Sequence, residues 1–175
     1  MEQGATSRTI LHVGCGSNSL PDWATGIETR VDINPECKPD IVANMTDLGD
    51  IGKYDTVVCL HALEHLHDYD VDVALKEFYR VLTKDGGAIV FVPDLEDVKP
   101  TREPILNTPA GWMSGLDLLY GFRKATKENP FMQHLTGFTS ETLREAFTDA
   151  GFEKVEILRL GNYDLMGVGI KLTEA

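Results

Sequence analysis

The residues with the clearest chemical potential form a glycine turn and an acid that follows it. The string Leu-His-Val-Gly-Cys-Gly-Ser-Asn at 11–18 is an apolar segment that breaks into a Gly-x-Gly turn, and Asp32 lies sixteen positions after Gly16. Glycines let backbone amides approach a ligand closely, and an acid that ends the next strand can accept hydrogen bonds from both hydroxyls of a ribose. The pattern predicts a site for a nucleoside cofactor.

Two departures from known phosphate-binding motifs narrow the class of cofactor. The glycines are not followed by the Lys-Ser/Thr pair of a loop that cradles phosphates. Asn18 and Ser19 occupy the place of the third glycine in the dinucleotide fingerprint. We therefore predict a cofactor without a pyrophosphate.

A second candidate group is rich in histidine. The string His-Ala-Leu-Glu-His begins at His61 and matches the inverted zinc-peptidase spacing H-x-x-E-H. In that alternative, a zinc metallohydrolase, His61 and His65 bind zinc, Glu64 acts on water, and His134 or Glu141 supplies a third ligand. The motif requires a helix, whereas this string directly follows an apolar run, a context that favours a loop at a cofactor site.

The elements that position these residues are predicted from hydrophobic patterns. Short apolar runs bounded by Gly, Pro, Asp or Asn predict strands. They cover residues 9–13, 28–32, 40–43, 55–60, 88–92, 154–160 and 165–172. Because only a short connection at 161–162 separates the last two strands, they are predicted to form an antiparallel hairpin.

Two helices are predicted between these strands. The first carries apolar residues at helical spacing after the fourth strand, with Asp68 or Asp70 as its cap and residues 85–87 as its end. The second is capped by Thr139 or Ser140 and ends near Gly151.

Together the elements predict one α/β domain over residues 1–175. Its core is a Rossmann-like, doubly wound sheet of seven strands, mostly parallel, with the last strand antiparallel. The connections from Gly16 to Glu28 and from Asp32 to Asp40 are too short for full helices, so the helices of the first half are shortened and one face is thinly covered.

A long insertion separates the fifth strand from the second helix. Residues 94–138 contain four prolines, several aromatic side chains and a short apolar run at 116–120. Ordered insertions of this length more often form lids or binding loops than structural filler. We predict that 94–138 is a lid that contacts the substrate.

Composition limits the classes of partner. The formal charge of −12 and the scattered basic residues disfavour nucleic acid, so a small-molecule substrate is favoured. Cysteines 15, 37 and 59 show no metal or redox spacing and are interpreted as reduced thiols. The sequence shows neither an apolar signal region nor a membrane-spanning run, which predicts no membrane association and a cytoplasmic location. The sequence leaves the oligomeric state open.

The order of several blocks resembles the class I methyltransferases that use S-adenosylmethionine. These blocks are VGCG, VDINP, NMTDL, YDTVVCLHALEHL and ALKEFYRVLTKDGGAIVFVPD, followed by HLTGFTSETLREAFTDAGF. The resemblance covers nearly the whole chain. It implies an enzyme that binds S-adenosylmethionine and transfers its methyl group, and we predict a small-molecule or carbohydrate-like acceptor.

The resemblance also implies positions for the cofactor. The backbone of Gly14, Cys15 and Gly16 would lie beside its methionine and ribose parts, Asp32 would bind the ribose hydroxyls, and Ile33 would pack on the adenine.

Further along, the side chain of Asn44 or of Asp47 would accept a hydrogen bond from the adenine amino group, and the Met45 amide would donate to the ring. Leu60 and His61 would lie near the methionine end. His12 departs from the family, where an acid usually orients the glycine turn, and Asn18 replaces a frequent glycine.

Methyl transfer is an in-line displacement, so the protein chiefly binds, aligns and excludes water, and a general base is needed only for a protonated nucleophile. We predict a site without a metal ion, with His61 and His134 as candidate catalytic residues. The candidate substrate-binding residues are Glu64, His65, Tyr120 and Arg123, the last for an anionic group. Purely structural roles for these side chains stay open, as does a non-catalytic protein that binds S-adenosylmethionine.

Overall fold

The structure is a computed structural model that describes residues 7–172. Nine strands and four α-helices lie within that range. The strands are β1 (Thr9–Val13), β2 (Ile27–Asp32), β3 (Ile41–Val42), β4 (Tyr54–Leu60), β5 (Leu82–Pro93), β6 (Pro104–Thr108), β7 (Gly111–Ser114), β8 (Lys154–Gly161) and β9 (Asp164–Ile170). The helices are α1 (Asp68–Val81), α2 (Gly115–Tyr120), α3 (Arg123–Glu128) and α4 (Ser140–Asp149).

Seven of the strands form one sheet in the order β3-β2-β1-β4-β5-β9-β8. The pairs from β3 to β5 are parallel, and β9 runs antiparallel to both β5 and β8. The predicted seven-stranded, mostly parallel sheet with an antiparallel last strand is therefore confirmed. Because the chain order reverses between β1 and β4, the carboxyl ends of these two strands border a crevice where ligands bind in such folds.

One face of the sheet carries the main core. Helices α1 and α4 pack there through apolar side chains at helical spacing, among them the buried Leu75, Phe78, Leu143 and Phe147. Fully burying side chains of this size stabilises a fold by about 1.5–3 kcal/mol each. This packed layer holds the strand ends, and hence the site at the sheet edge, in fixed positions.

The opposite face of the sheet is covered by a loop in the first half of the chain. The short connections between the first strands predict this thinner cover. Residues 14–26 join β1 to β2 as a loop, and a 3-10 turn at Pro35–Cys37 joins β2 to β3. Trp23 of the loop stacks on Phe91 of β5 with the ring centroids 6.0 Å apart. A loop thus takes the place that helices hold on both faces of a fully doubly wound sheet.

The predicted helix starts are right in one case and wrong in the other. Thr139 caps α4 by accepting a hydrogen bond from the Thr142 amide. In α1 neither Asp68 nor Asp70 is the cap: the N-cap residue is His67, which makes no side-chain cap bond. The two acids lie instead in the first turn, where negative charge favours the helix dipole.

The insertion folds into ordered elements of its own. Strands β6 and β7 form an antiparallel hairpin, which leads into α2, α3 and a 3-10 turn at Pro130–Met132. The apolar run predicted at 116–120 lies within α2. Across the described residues, none of the helices has the length and apolar character needed to span a bilayer.

Candidate functional site

The glycine turn after β1 packs tightly on one side and is open on the other. Gly14 has φ +65°, and a Cβ built on it would lie 2.4 Å from the Cβ of Ala62. Gly16 has φ +52°, but a Cβ there would meet no atom within 4 Å. Both positions favour glycine through their backbone conformation. The space beside Gly16 leaves room for a ligand to approach the backbone.

Asp32 joins this turn to the end of β2. Its Oδ2 accepts a hydrogen bond of 2.7 Å from the Gly16 amide, and its Oδ1 accepts one of 2.8 Å from the Asn34 amide. The Arg30 guanidinium also donates to the Gly16 carbonyl at 2.7 Å. Each carboxylate oxygen can accept a further hydrogen bond, so Asp32 is oriented and still able to bind hydroxyl groups.

Three other predicted cofactor residues surround this turn. Ile33 follows Asp32 with 48% of its surface exposed, which leaves an apolar side chain open to a flat ring. The end of the half-buried Met45 side chain lies 3.4 Å from the Cβ position of Gly14. Cys15 is buried and its thiol donates to the Gly16 carbonyl, so it offers a ligand only its backbone.

The two candidate adenine acceptors serve local turns. The Asn44 side-chain oxygen accepts a 3.1 Å bond from the Thr46 amide, and the Asp47 Oδ1 accepts a 3.3 Å bond from the Gly49 amide. Both residues are exposed. The structure therefore places them at the surface of the turn after β3 with one oxygen of each side chain already engaged.

The unusual His12 is paired with an acid from the neighbouring strand. Its Nδ1 lies 2.8 Å from the Glu28 Oε1, and the His12 side chain is 1% exposed. Sequence analysis missed Glu28 as the partner. The parallel pairing of β1 with β2 sets His12 opposite Arg30, and Glu28 lies two residues before Arg30 in β2.

The chain turns sharply directly after the half-buried Leu60, the last residue of β4. His61 has φ +49°, and its amide donates to the Phe91 carbonyl at 2.9 Å. A 3-10 turn over Leu63–His65 follows and buries Glu64. This segment therefore lacks the α-helix that the zinc-peptidase alternative requires, in agreement with the loop that its position after β4 favours.

His61 lies between two carboxylates. Its Nδ1 is 3.7 Å from the Glu64 Oε1, and its Nε2 is 3.6 Å from the Asp164 Oδ1. Burial favours the neutral ring, but the hydrogen-bonding and charge of Glu64, with the charge of Asp164, raise the pKa of His61 above its usual value. Burial in turn raises the pKa of Asp164, against the attraction of His61.

Sequence analysis missed Asp164, which begins β9. The antiparallel pairing of β9 with β5 sets it opposite Pro93, at the edge of the sheet where β4 ends. Only knowledge of that pairing would have connected Asp164 to His61.

His65 and His134 flank Glu64 on its other side. Their Nδ1 atoms lie 2.8 Å from the carbonyl oxygens of Gln133 and Leu118, respectively. One oxygen of Glu64 and one nitrogen of each ring lie within 4.8 Å of one another.

The charges of Glu64 and the neighbouring histidines shift the pKa values of Glu64 and His134. Burial opposes ionisation of Glu64, but His61, His65 and His134 together hold its pKa below the usual value. Burial lowers the pKa of His134, against the charge of Glu64. Glu64 is therefore a carboxylate, and His134 a neutral ring, near pH 7.

A cavity of about 970 Å³ opens above these residues. The loops at the sheet edge supply most of its polar side chains, those of Asn18, His61, Glu64, His65, Asn162 and Asp164. The insertion supplies most of its apolar side chains, which include those of Trp112, Met113, Leu118, Phe122 and Met132, and also the polar Asn107, Thr108 and His134.

Two predicted substrate residues do not reach the cavity. Tyr120 is 64% exposed. The Arg123 Nε donates to the Asp117 Oδ1 at 2.9 Å, and the same carboxylate accepts from Ser114 in the capping box of α2. Burial raises the pKa of Asp117, but the bonds from Arg123 and Ser114 outweigh it and hold that pKa well below its usual range. Arg123 therefore links α2 and α3 through an ion pair and does not face the cavity.

Comparison with known proteins gives a family and a fold. A family model described as a methyltransferase domain matches residues 2–157. No curated protein matches the chain.

Many solved structures share the fold at low sequence identity. A human N-acetylserotonin methyltransferase in complex with S-adenosylmethionine has a TM-score of 0.67 at 14% identity, over 96% of this chain and 48% of that one. An S-adenosylmethionine-dependent methyltransferase from Mesorhizobium loti has a TM-score of 0.67 at 15% identity, over 94% and 91%. A Haloferax volcanii complex of the Trm112 activator with a methyltransferase has a TM-score of 0.61 at 17% identity, over 95% and 84%. The chain spans about half the length of the human enzyme.

Proposed function

We propose, on the premise that this chain belongs to the methyltransferase domain family, that it transfers the methyl group of S-adenosylmethionine to a small-molecule or carbohydrate-like acceptor bound in the cavity. Asn18, two residues beyond Gly16, lines the same cavity as His61 and His134. The proposal rests on this observation: a single cavity connects the glycine turn with the histidines.

The first part of the proposal concerns the cofactor. The open space beside Gly16 and the oriented carboxylate of Asp32 suit a nucleoside whose ribose binds between them. The exposed Ile33 suits an adenine ring, with the Met45 amide and an oxygen of Asn44 or Asp47 at the ring edge. The cofactor supplies an activated methyl group when bound. The residues present therefore fit it.

The second part concerns the acceptor. A volume of about 970 Å³ lies within the range of small-molecule sites, and the apolar walls with a few convergent polar groups are typical of them. The net charge of −12 disfavours a nucleic-acid acceptor. We assign residues 94–138 the role of a lid that selects the acceptor, within a single domain.

His61 is the residue best placed to take a proton from the acceptor. It follows Leu60 at the carboxyl end of β4, lines the cavity, and is half-exposed at 46%. Its ring is oriented by a carboxylate on each side. A ring held in this way can receive a proton while the acceptor attacks the methyl carbon.

The cofactor assignment is tested by calorimetry with S-adenosylhomocysteine, the demethylated product. We expect the wild-type chain to bind it and Asp32→Ala to bind it about 1–3 kcal/mol more weakly, as expected when a charged hydrogen-bonding partner is removed. Asp50→Ala, at an exposed position outside the site, is the matched control. Absence of binding by the wild-type chain, or equal binding by Asp32→Ala, would refute the assignment.

A further inference from the structure

We infer that Glu64, His65 and His134 form a binding site for one divalent transition-metal cation in the wall of the acceptor cavity. These residues come from two distant parts of the chain, the turn after β4 and the end of the insertion. One carboxylate oxygen and one nitrogen of each ring already lie within 4.8 Å of one another.

The hydrogen bonds of the two histidines fix which nitrogen of each ring is free to bind a cation. The Nδ1 of His65 bonds the Gln133 carbonyl and the Nδ1 of His134 bonds the Leu118 carbonyl, both at 2.8 Å. A carbonyl oxygen only accepts hydrogen bonds, so Nδ1 carries the proton in each neutral ring and Nε2 keeps its lone pair. Metal-binding histidines are commonly held in this way, with the second nitrogen donating to a carbonyl or carboxylate.

Glu64 supplies an independent observation. Its side chain is nearly fully buried, at 2% exposure, and its Oε2 has no hydrogen-bond partner among the described residues. An unpartnered buried carboxylate oxygen has lost its hydrogen bonds to water without replacement, which destabilises the folded chain. Its other oxygen, Oε1, is the one nearest His61. A cation bound to Oε2 would remove the cost and leave the contact with His61 in place.

The donor set indicates the class of cation. Two imidazoles and one carboxylate form a known three-ligand set for zinc, and imidazole also suits cobalt, nickel and copper. Ligands of one tetrahedral zinc lie roughly 3.4 Å apart for bonds of about 2.0–2.2 Å. The three ligand atoms, within 4.8 Å of one another, would have to move closer by roughly 1 Å or more when a cation binds. The favoured sequence reading predicts no metal, and the zinc alternative uses a different ligand set, with His61 as a ligand and Glu64 acting on water.

The position of the site suggests the chemistry of the acceptor, an extension that rests on the proposed function. All three ligands line the cavity, so the cation's open coordination position faces it. An acceptor with a hydroxyl or carboxylate oxygen could bind there directly. The cation would then orient the acceptor beside His61, which remains outside the ligand set.

Titration with cobalt(II) tests the site without relying on activity. The full chain, free of any histidine tag, is first treated with a chelator that is then removed. We expect one cobalt(II) per chain to bind at micromolar concentration, with the visible absorption of cobalt coordinated by nitrogen, and zinc to displace it. Binding only at millimolar concentration, or more than one equivalent with no distinct spectrum, would overturn the inference.

Variants locate the site. His65→Ala and His134→Ala are each expected to weaken cobalt binding roughly tenfold or more, because each removes a ligand. His67→Ala is the matched control, since His67 is exposed and stacks on Tyr69 outside the cluster. Unchanged cobalt binding in both ligand variants, or equal weakening in His67→Ala, would refute the assignment.

Calorimetry with S-adenosylhomocysteine on the same samples separates the two proposals and checks folding. Product binding retained in His65→Ala and His134→Ala, with cobalt binding lost, supports the cation site. Product binding without any cobalt binding refutes the cation site alone. Cobalt binding without product binding supports the cation site and refutes the proposed function.

Discussion

The two sides of the cavity are built in different ways. On the cofactor side, the main features are backbone groups and one carboxylate, held at the ends of adjacent parallel strands within residues 14–34. On the acceptor side, Glu64, His134 and Asp164 come from three distant parts of the chain. The first side is a product of local geometry, whereas the second depends on the packing of the insertion against the sheet edge.

This difference indicates how each side tolerates change. The glycine turn loses its function when a substitution blocks its backbone conformation, because residues with a side chain rarely adopt the positive φ angles that it needs. A wall made of side chains on α2, α3 and their connections can change one residue at a time while the sheet stays intact. Four predictions test this contrast, in order of decreasing effect.

The largest effect is expected for Gly14→Ala. The added methyl group would meet Ala62 at 2.4 Å in a residue with φ +65°, so strain of about 1–2 kcal/mol adds to overpacking of about 1–3 kcal/mol. Gly16 has φ +52° and free space around its Cβ position, so Gly16→Ala should lose only the unfolding free energy that corresponds to the backbone strain. Urea unfolding of both variants measures the difference. Equal losses of unfolding free energy would show that the contact with Ala62 is unimportant.

Asp117→Asn tests the insertion. It removes a buried charge that binds Arg123 and Ser114, and we expect a loss of about 1–3 kcal/mol of local stability. Hydrogen exchange of residues 104–128 should speed up, while binding of S-adenosylhomocysteine stays unchanged. Asp97→Asn, a 75% exposed partner of Arg159, is the control and should change little. A loss of product binding in Asp117→Asn would show that the two sides are coupled.

Trp23→Ala tests the loop that covers the second face of the sheet. Loss of the stacking contact with Phe91 should lower the unfolding free energy by about 0.5–1.5 kcal/mol beyond the lost burial. Trp112→Ala is its counterpart on the acceptor side, where the 63% exposed ring lines the cavity. We expect that variant to keep its stability in thermal unfolding, and a larger loss there than in Trp23→Ala would contradict the expectation.

The smallest effect is a pH dependence at the amino ends of β1 and β4, the edge of the sheet opposite the cofactor site. Hydrogen bonds from the Thr9 amide and hydroxyl, both 2.9 Å, lower the pKa of Asp55 below its ordinary value of 3.8. Its stabilising contribution is therefore complete above that value and is lost as the pH falls through the lower folded value. Between pH about 5 and 3, unfolding free energy should fall less in Asp55→Asn than in the wild-type chain. Parallel curves would exclude this contribution.

The fold was largely predictable because its signals are local. Apolar runs bounded by turn residues gave β1 its observed bounds and β2 and β4 bounds within one residue. Short connections implied that the helices of the first half are shortened, and among the described residues between β1 and β3 the structure has only one 3-10 turn. The cap of α1 was predicted wrongly because acids near a helix start serve equally as caps or as first-turn charges.

The amino-acid sequence by itself determined the seven strands of the main sheet with the last one antiparallel, the glycine turn, and the acid that follows it. Each depends on residues within one strand and its adjoining loop, where backbone conformation and hydrophobic pattern act directly. Only the tertiary structure decided that Asp164 lies beside His61 and that His134 converges with His65 on Glu64. Those contacts join residues up to about a hundred positions apart, and no local pattern encodes the packing that brings them together.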